Sequence, residues 1–221
     1  IRERVFIIGS RDGKEFTFPE QRFYDPEDPE EGRSLFGASN EAFRTAWDAL
    51  HDLEHSDDKP MPSRVGGRWG DLLPSIPEGQ NYLFHSERGD GMPIFKWRSR
   101  YWSFLLKLSK TRPSWTIQAQ PGSAIGPFHW NNRRLTMREM SRIQTFPDDI
   151  EILGGVSEVQ KQIGNAVPSA IGELLGREIR RQFFGEKITS RNLSLIPKPA
   201  ERAAKATRVY PVANEYVDLR V

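Results

Sequence analysis

The chain has 221 residues, 37% hydrophobic and 28% charged, with a net charge of +2 and no cysteine. That is enough for one large domain or two small ones with a buried core. It excludes disulfides, a cysteine-ligated zinc site and a thiol nucleophile, and no apolar run approaches the roughly 18 residues of a membrane helix. The chain opens Ile-Arg-Glu-Arg-Val-Phe-Ile-Ile without a starting Met, which reads as a fragment, a processed product or a partial chain, and its apolar stretch is too short for a signal peptide.

The small net charge hides an asymmetry. From Gly91 to Arg138 the chain carries Lys96, Arg98, Arg100, Lys107, Lys110, Arg112, Arg133, Arg134 and Arg138 and no acidic residue, whereas Glu15 to Lys59 is strongly acidic. A basic block interleaved with Trp97, Tyr101, Trp102, Trp115 and Trp130 suits a polyanion, because cations displace counterions from phosphates and aromatics fill grooves or stack on bases. Charge alone equally fits a solvated face with core tryptophans.

In chain order, Arg4 to Gly9 is β-branched and aromatic and reads as a strand. Asp12-Gly13 is a turn signal, and Glu15 to Phe18 reads as the returning strand of a hairpin. Tyr24 to Arg33 is an acidic, Pro-containing loop. Ser39-Asn40 precedes an amphipathic helix over Glu41 to Leu53, with Phe43, Ala46, Trp47, Leu50 and Leu53 at helical spacing. Glu54 to Gly67 is a linker candidate. Trp69 to Trp130 is irregular, with strand-like pieces at Tyr82–His85, Ser103–Leu108 and Ser114–Gln118, and reads as a small, loop-rich, mostly β module. Thr136 with Glu139 three residues on forms a capping box for a helix to about Gln144. A second helix starts near Pro168, carries Ile171, Leu174, Leu175, Ile179 and Phe183 on one side, and ends at Gly185. Gly172 and Gly176 weaken that helix intrinsically, so close packing against another element is their expected use. Residues after about Lys187 form a polar extension, with Val209 to Val221 either a strand or mobile.

Three segments carry a family resemblance in order and spacing. Arg2-x-Arg4 followed by Val5 to Gly9 resembles the end of a Gln-x-Arg-x-Arg motif. Arg133 to Asp149, with Gln144-Thr145-Phe146-Pro147, resembles a second motif, with Ser141 where a small Ala is usual. Gln162-Ile163-Gly164-Asn165-Ala166-Val167-Pro168 resembles a third. Together they are similar to the closing motifs of the DNA cytosine-5 methyltransferases. The long basic and aromatic stretch between the first two is where that family places its target recognition region. Arg112-Pro113-Ser114-Trp115-Thr116-Ile117 resembles the Thr-hydrophobic dipeptide within it. The family's glycine-rich cofactor loop, Pro-Cys nucleophile and Glu-Asn-Val motif have no counterpart.

The resemblance implies an α/β fold: the tail of a Rossmann-like S-adenosylmethionine-dependent methyltransferase domain plus a small, mostly β, loop-rich target recognition domain. It divides the chain into residues 1–55 (end of the catalytic domain), 56–132 (target recognition), 133–185 (hinge segment and closing helix) and 186–221 (C-terminal extension). It implies transfer of methyl from S-adenosyl-L-methionine to C5 of a flipped cytosine in double-stranded DNA, once the N-terminal half supplies the cysteine. This chain alone is expected to be inactive. Arg2 and Arg4 would hold the extruded base or its phosphate through the planar guanidinium donors; taken alone they read as a surface pair on an edge strand. Asn165, Ala166 and Val167 would wall the cofactor pocket, and Asn165 also reads as an N-terminal helix cap. Arg98, Arg100, Arg112 and Thr116 would contact DNA, by guanine edges or phosphate, although any one of the arginines alone reads as a solvated side chain. Trp97, Trp102, Trp115 and Trp130 read as module core, Arg138 and Glu139 as structural, and no metal site is expected. His51 and His55 have a spacing zinc can use but no third ligand. A bacterial-type cytoplasmic location and a restriction-modification setting follow from the same resemblance. The alternatives are a non-catalytic DNA-binding or regulatory module derived from such an enzyme, an RNA-directed relative, or an inactive fragment.

Overall fold

A computed structural model describes residues 4–20, 22–27, 41–53, 65, 67–190 and 192–220. Arg2, Ser39-Asn40, His55 and most of the expected acidic loop and linker lie outside these residues.

The expected N-terminal hairpin is present only as its turn. Residues 4–20 form no regular element beyond the turn at Arg11-Asp12, with Gly13 at φ 74°, and the two limbs form no ladder. The chain instead lies along the closing helix. Phe16 stacks on Phe183 at 6.1 Å, and Thr17 exchanges two hydrogen bonds with Gln182, its N–H donating to Oε1 (2.9 Å) and its carbonyl accepting from Nε2 (2.8 Å). Strand-like alternation persists in burial: Arg4, Phe6 and Ile8 are half-buried, while Val5 and Ile7 are 88% and 92% exposed.

The helix expected from Glu41 starts later. Glu41–Ala42 forms a short strand, β2, paired in parallel with β1 (Phe23–Tyr24), with Phe23 opposite Glu41 and Tyr24 opposite Ala42. Helix α1 spans Ala46–Leu50 and continues as a 3-10 turn over His51–Leu53. Thr45 decides the start. Its hydroxyl accepts from the N–H of Asp48 while the Asp48 carboxylate accepts from the N–H of Thr45, closing a capping box.

The mostly β reading of the central module is corrected. Tyr82–His85 is a 3-10 turn, as is Gly70–Ser75, and the remainder is held by isolated bridges such as Phe104 with Ile125 and Lys107 with Phe128. The apolar residues that suggested strands are buried by tertiary packing. Leu72, Leu73, Ile76, Tyr82, Phe95, Leu105 and Phe128 form one core with Val65 and Tyr216.

A second core lies under the helices, where Trp47, Leu50 and Leu53 meet Leu108, Ile117, Trp130, Leu135, Met140, Val159 and Ile163. Helix α2 (Met137–Ile143) carries the expected capping box, with Thr136 and Glu139 bonded reciprocally at 3.0 and 2.8 Å. Helix α3 (Val156–Asn165) has no counterpart among the expected elements; Val159 and Ile163 are its buried stripe. Helix α4 (Ser169–Phe184) ends as expected at Gly185, in the left-handed conformation at φ 67°. Gly172 and Gly176 have nothing near them, so the expected close packing is not made within the described residues. The C-terminal extension is neither a strand nor detached. It runs back over both cores and ends in a 3-10 turn, Asn214–Leu219, that buries Tyr216.

Candidate functional site

All three motif segments meet at the corner between α3 and α4. Gln144 and Thr145 sit just past the end of α2, Thr145 at φ 58°. Gln144 is buried and its Nε2 donates to the carbonyl of Ile163 (2.9 Å), satisfying an acceptor in the last turn of α3. The Gln144 carbonyl accepts from the N–H of Ser169 (3.0 Å), and Thr145 Oγ1 accepts from the N–H of Ala170 (2.8 Å), capping α4. Arg4 closes the set from the N-terminal arm, donating from a terminal guanidinium nitrogen to the carbonyl of Ala166 (2.6 Å). Gly164 lies against the backbone at Gln118 and Ala119, where a Cβ would meet Ala119 at 2.5 Å. Only glycine permits this approach of α3 to the module.

Beside this corner is a cleft of about 1140 Å³, lined from every element around it. Arg4 and Phe6 come from the arm, Tyr24 and Phe43 from the β1–β2 region, Arg112, Trp115 and Thr116 from the module, Gln144 and Thr145 from the hinge, and Pro168 and Ile171 from α4. Trp102 and Trp115 meet edge to face on its wall at 5.6 Å. Three of its arginines are held by carboxylates. Arg44 pairs with Glu41 at 2.7 Å, Arg112 with Asp25 at 2.9 Å and Glu27 at 3.1 Å, and Arg142 with Asp52 at 2.5 Å and with Asp148. The Arg142 and Arg138 guanidiniums hold the Asp148 carboxyl well below its ordinary range.

The predicted residues divide between this cleft and other surfaces. Arg4, Arg112 and Thr116 line it; Arg2 is outside the described residues. Arg98 and Arg100 lie elsewhere, exposed on the outer loop of the module, Arg98 in the left-handed region at φ 57° with its guanidinium 5.8 Å from the Trp97 ring. Asn165, Ala166 and Val167 do not line the cleft. Asn165 and Val167 are exposed on the corner's outer side, and Asn165 is the last residue of α3, not a cap at a helix start. Trp130 is fully buried core, whereas Trp102 is 53% exposed. Sequence reasoning places Gln144 and Thr145 in a motif without a role for either. The polar pair directly before a Phe-Pro stop was the available signal, since such residues supply caps.

The hinge is also tied to the module. Arg134 donates to the carbonyls of Gly122 (3.1 Å) and Ser123 (2.9 Å), and Glu139, only 1% exposed, accepts from both terminal nitrogens of Arg133 within the hinge (2.7 and 2.8 Å) while facing His129 Nε2 of the module at 3.6 Å. Burial, with Arg133 and Lys110 nearby, pushes the His129 imidazole down to about 2, so it is neutral at ordinary pH. This supports the structural role expected of Glu139; Arg138 pairs with Asp148 at 3.0 Å. Among the described residues, no group of His, Asp and Glu could hold a metal ion, and no helix is long and apolar enough to cross a membrane.

Residues 1–181 match the family of C-5 cytosine-specific DNA methylases. Among similar proteins, the type II methyltransferase M.SacI of Streptomyces achromogenes is 41% identical over 193 residues, 83% of this chain and 48% of that protein. M.NgoFVII of Neisseria gonorrhoeae is 31% identical over 76% of this chain and 42% of its own length, and M.BbvI of Brevibacillus brevis is 28% identical over 82% and 45%. The chain thus spans about half the length, or slightly less, of these relatives.

Proposed function

The chain belongs to the C-5 cytosine-specific DNA methylase family, and from that premise we propose that it is the DNA-recognition and cofactor-pocket-completing half of a DNA cytosine-5 methyltransferase. Joined to an N-terminal half that carries the cysteine nucleophile, it takes part in moving a methyl group to C5 of a cytosine extruded from duplex DNA. The observation that carries this reading is the convergence of Arg4, Gln144-Thr145 and Ala166 at one corner beside a large cleft. Residues far apart in sequence are brought together there by hydrogen bonds between motif positions.

Arg4 keeps guanidinium donors beyond the one given to Ala166, and these hold the carbonyl of the flipped base. Arg2 serves the same base or its phosphate. Thr116 bonds a phosphate beside the extruded nucleotide, and Arg112, once released from Asp25 and Glu27, takes another. Arg98 and Arg100, on the exposed outer loop, contact the duplex away from the flipped base. Asn165, Ala166 and Val167 fit one wall of a cofactor pocket and no more. Asn165 and Val167 present an amide and an apolar side chain outward, while the Ala166 carbonyl is taken by Arg4. S-adenosyl-L-methionine supplies the methyl group when bound, and most of its pocket, with the thiolate, belongs to the other half.

That other half also accounts for Val5 and Ile7, two β-branched side chains left on the open side of a strand-like arm. The setting we infer is cytoplasmic, in a bacterial restriction-modification system; the relatives are named as type II methyltransferases.

The test is transfer of labelled methyl from S-adenosylmethionine to duplex DNA, with this chain alone and then mixed with a front half carrying the glycine-rich loop and Pro-Cys. Silence alone and activity on mixing are expected. Activity from this chain alone overturns the reading. Silence in both, with salt-sensitive DNA binding retained, replaces it with a non-catalytic binding module.

A further inference from the structure

The family match ends at residue 181, yet the chain beyond it is bonded along most of its length. Glu173 on α4 accepts from the N–H and hydroxyl of Ser194 (both 2.7 Å) and from the N–H of Leu195 (2.9 Å). Arg44 donates to the carbonyl of Pro197 (3.0 Å). On α1, Asp48 accepts from the N–H of Ala200 (2.7 Å) and Trp47 Nε1 donates to the carbonyl of Arg202 (2.7 Å). Lys110 Nζ then donates to the carbonyl of Lys205 (2.6 Å) and the hydroxyl of Thr207 (2.9 Å), while Glu78 accepts from the N–H of Thr207 (2.8 Å). Farther on, the N–H of Tyr210 donates to the carbonyl of Pro74 (3.1 Å). Tyr216 is 1% exposed, lies parallel to Trp69 at 5.8 Å and donates its hydroxyl to the carbonyl of Arg68 (2.8 Å).

The segment therefore begins on the core under the helices, where Ala200 and Ala204 pack, and ends in the module's own core with Val212, Tyr216 and Leu219. Its middle sits on a charge that needs it. Lys110 is 6% exposed, with its ammonium 5.6 Å from the Trp47 ring and 5.4 Å from the Trp130 ring. Glu78 is 3.4 Å away, and the other two oxygens bonded to the ammonium belong to the segment. A buried ammonium stripped of two acceptors is costly, so seating the segment and keeping the junction between the cores intact are one event. Most of the bonds use the segment's backbone, which explains how a polar, low-signal sequence can be held so firmly.

We propose that residues 192–219 form a brace that fixes the recognition module's angle against the helical lobe, with Glu78, Lys110 and Tyr216 as positioning residues that touch no DNA. The chain has no native cysteine, so spin labels can be placed cleanly at Glu87→Cys on the module and Lys161→Cys on α3, both exposed positions. In the otherwise unaltered chain the inter-label distance distribution is narrow. Adding Tyr216→Ala with Glu78→Gln broadens or shifts it while circular dichroism and the module's tryptophan fluorescence persist. An unchanged narrow distribution in that folded variant overturns the proposal. Should the double variant not fold, Tyr216→Phe and Glu78→Gln are read singly with the same labels, and the same two outcomes decide.

A second readout rests on the methyltransferase reading: selection from a random duplex pool by the reconstituted enzyme. Brace variants lose about tenfold in sequence discrimination, a usual size for coupling between sites, with the salt dependence of binding unchanged because no phosphate contact is lost. Failure of reconstitution leaves the label distances standing, so the two readings fail separately.

Discussion

The central module and the N-terminal arm carry similar apolar residues and treat them in opposite ways. The module has almost no regular structure among its described residues, yet Leu72, Leu73, Ile76, Leu105 and Phe128 are all fully buried. The arm has the alternation of a good strand, yet Val5 and Ile7 face outward and pair with nothing described. Regular structure and burial are thus separable. The module's core is closed, with Val212, Tyr216 and Leu219 of the C-terminal segment completing it, whereas the arm presents one packed face, toward α4 and the cleft, and one exposed face.

The largest effect that would break this contrast is on the module. Phe128→Ala removes a fully buried ring from a core with no ladder to support it, and should cost about 3–5 kcal/mol in denaturant unfolding. A cost under about 1 kcal/mol would mean that this core is not what holds the module together.

Acid should expose the same difference. His129 is pushed down to about 2, first by burial and then by Arg133 and Lys110, from an ordinary 6.5. Its folded-state value is lowered, so the unfolded chain takes up the proton first. Stability is full above about 6.5 and falls as pH drops below it, by about 2 kcal/mol between pH 7 and pH 5. Burial lowers the His85 imidazole as well and adds in the same direction. Urea midpoints at the two pH values measure the loss, and His129→Gln should remove most of that slope. Within the described residues the arm contains no histidine and contributes none of it.

What was legible in the sequence follows the same division. Thr136 with Glu139, Pro168 and Gly185 are local signals, and each lies at the helix boundary expected of it. The motif order was legible too, and its physical basis is the bonding of Gln144 to Ile163 and of Thr145 to Ala170. Helix α3 was not, because its buried stripe is only Val159 and Ile163 among polar residues; in the structure the Glu158 carboxylate accepts from the N–H of Gly155 at its start. The module's apolar runs looked like strands because periodicity cannot distinguish a ladder from irregular chain packed on both sides. The brace was illegible because its bonds are mainly those of its backbone.

Glycines sharpen the comparison at smaller magnitude. Gly164→Ala would force a Cβ to within 2.5 Å of the Ala119 backbone, which side-chain adjustment cannot relieve, and should cost about 1–3 kcal/mol. Gly172→Ala and Gly176→Ala meet nothing within 4 Å, and each should stabilise this chain by about 0.5–1 kcal/mol through helix propensity. Thermal unfolding of the three single variants separates them by sign. If α4 packs closely on a second half in an assembled enzyme, the two stabilising variants should also weaken complementation.

The smallest effect on this chain should come from the arm's outer face. Ile7→Ser exchanges a side chain that is 92% exposed, so little apolar surface changes its environment and unfolding should move by less than about 0.5 kcal/mol. Half-burial of Phe6 and the Arg4 bond to Ala166 are on the opposite face and stay as they are. Complementation is where the substitution should be felt, because a strand from the front half would bury Ile7 against its own apolar neighbours. Methyl transfer by the mixed halves, measured against the concentration of this chain, should then require about tenfold more Ile7→Ser protein for half-maximal activity, the loss expected from about 1.4 kcal/mol of apolar burial. An unchanged requirement would place the junction elsewhere, and a large loss of stability in the isolated chain would show the arm's outer face to be covered already. The contrast between a closed module core and an exposed arm face therefore turns on one isoleucine, whose substitution should be nearly silent in this chain and felt only if a second polypeptide covers it.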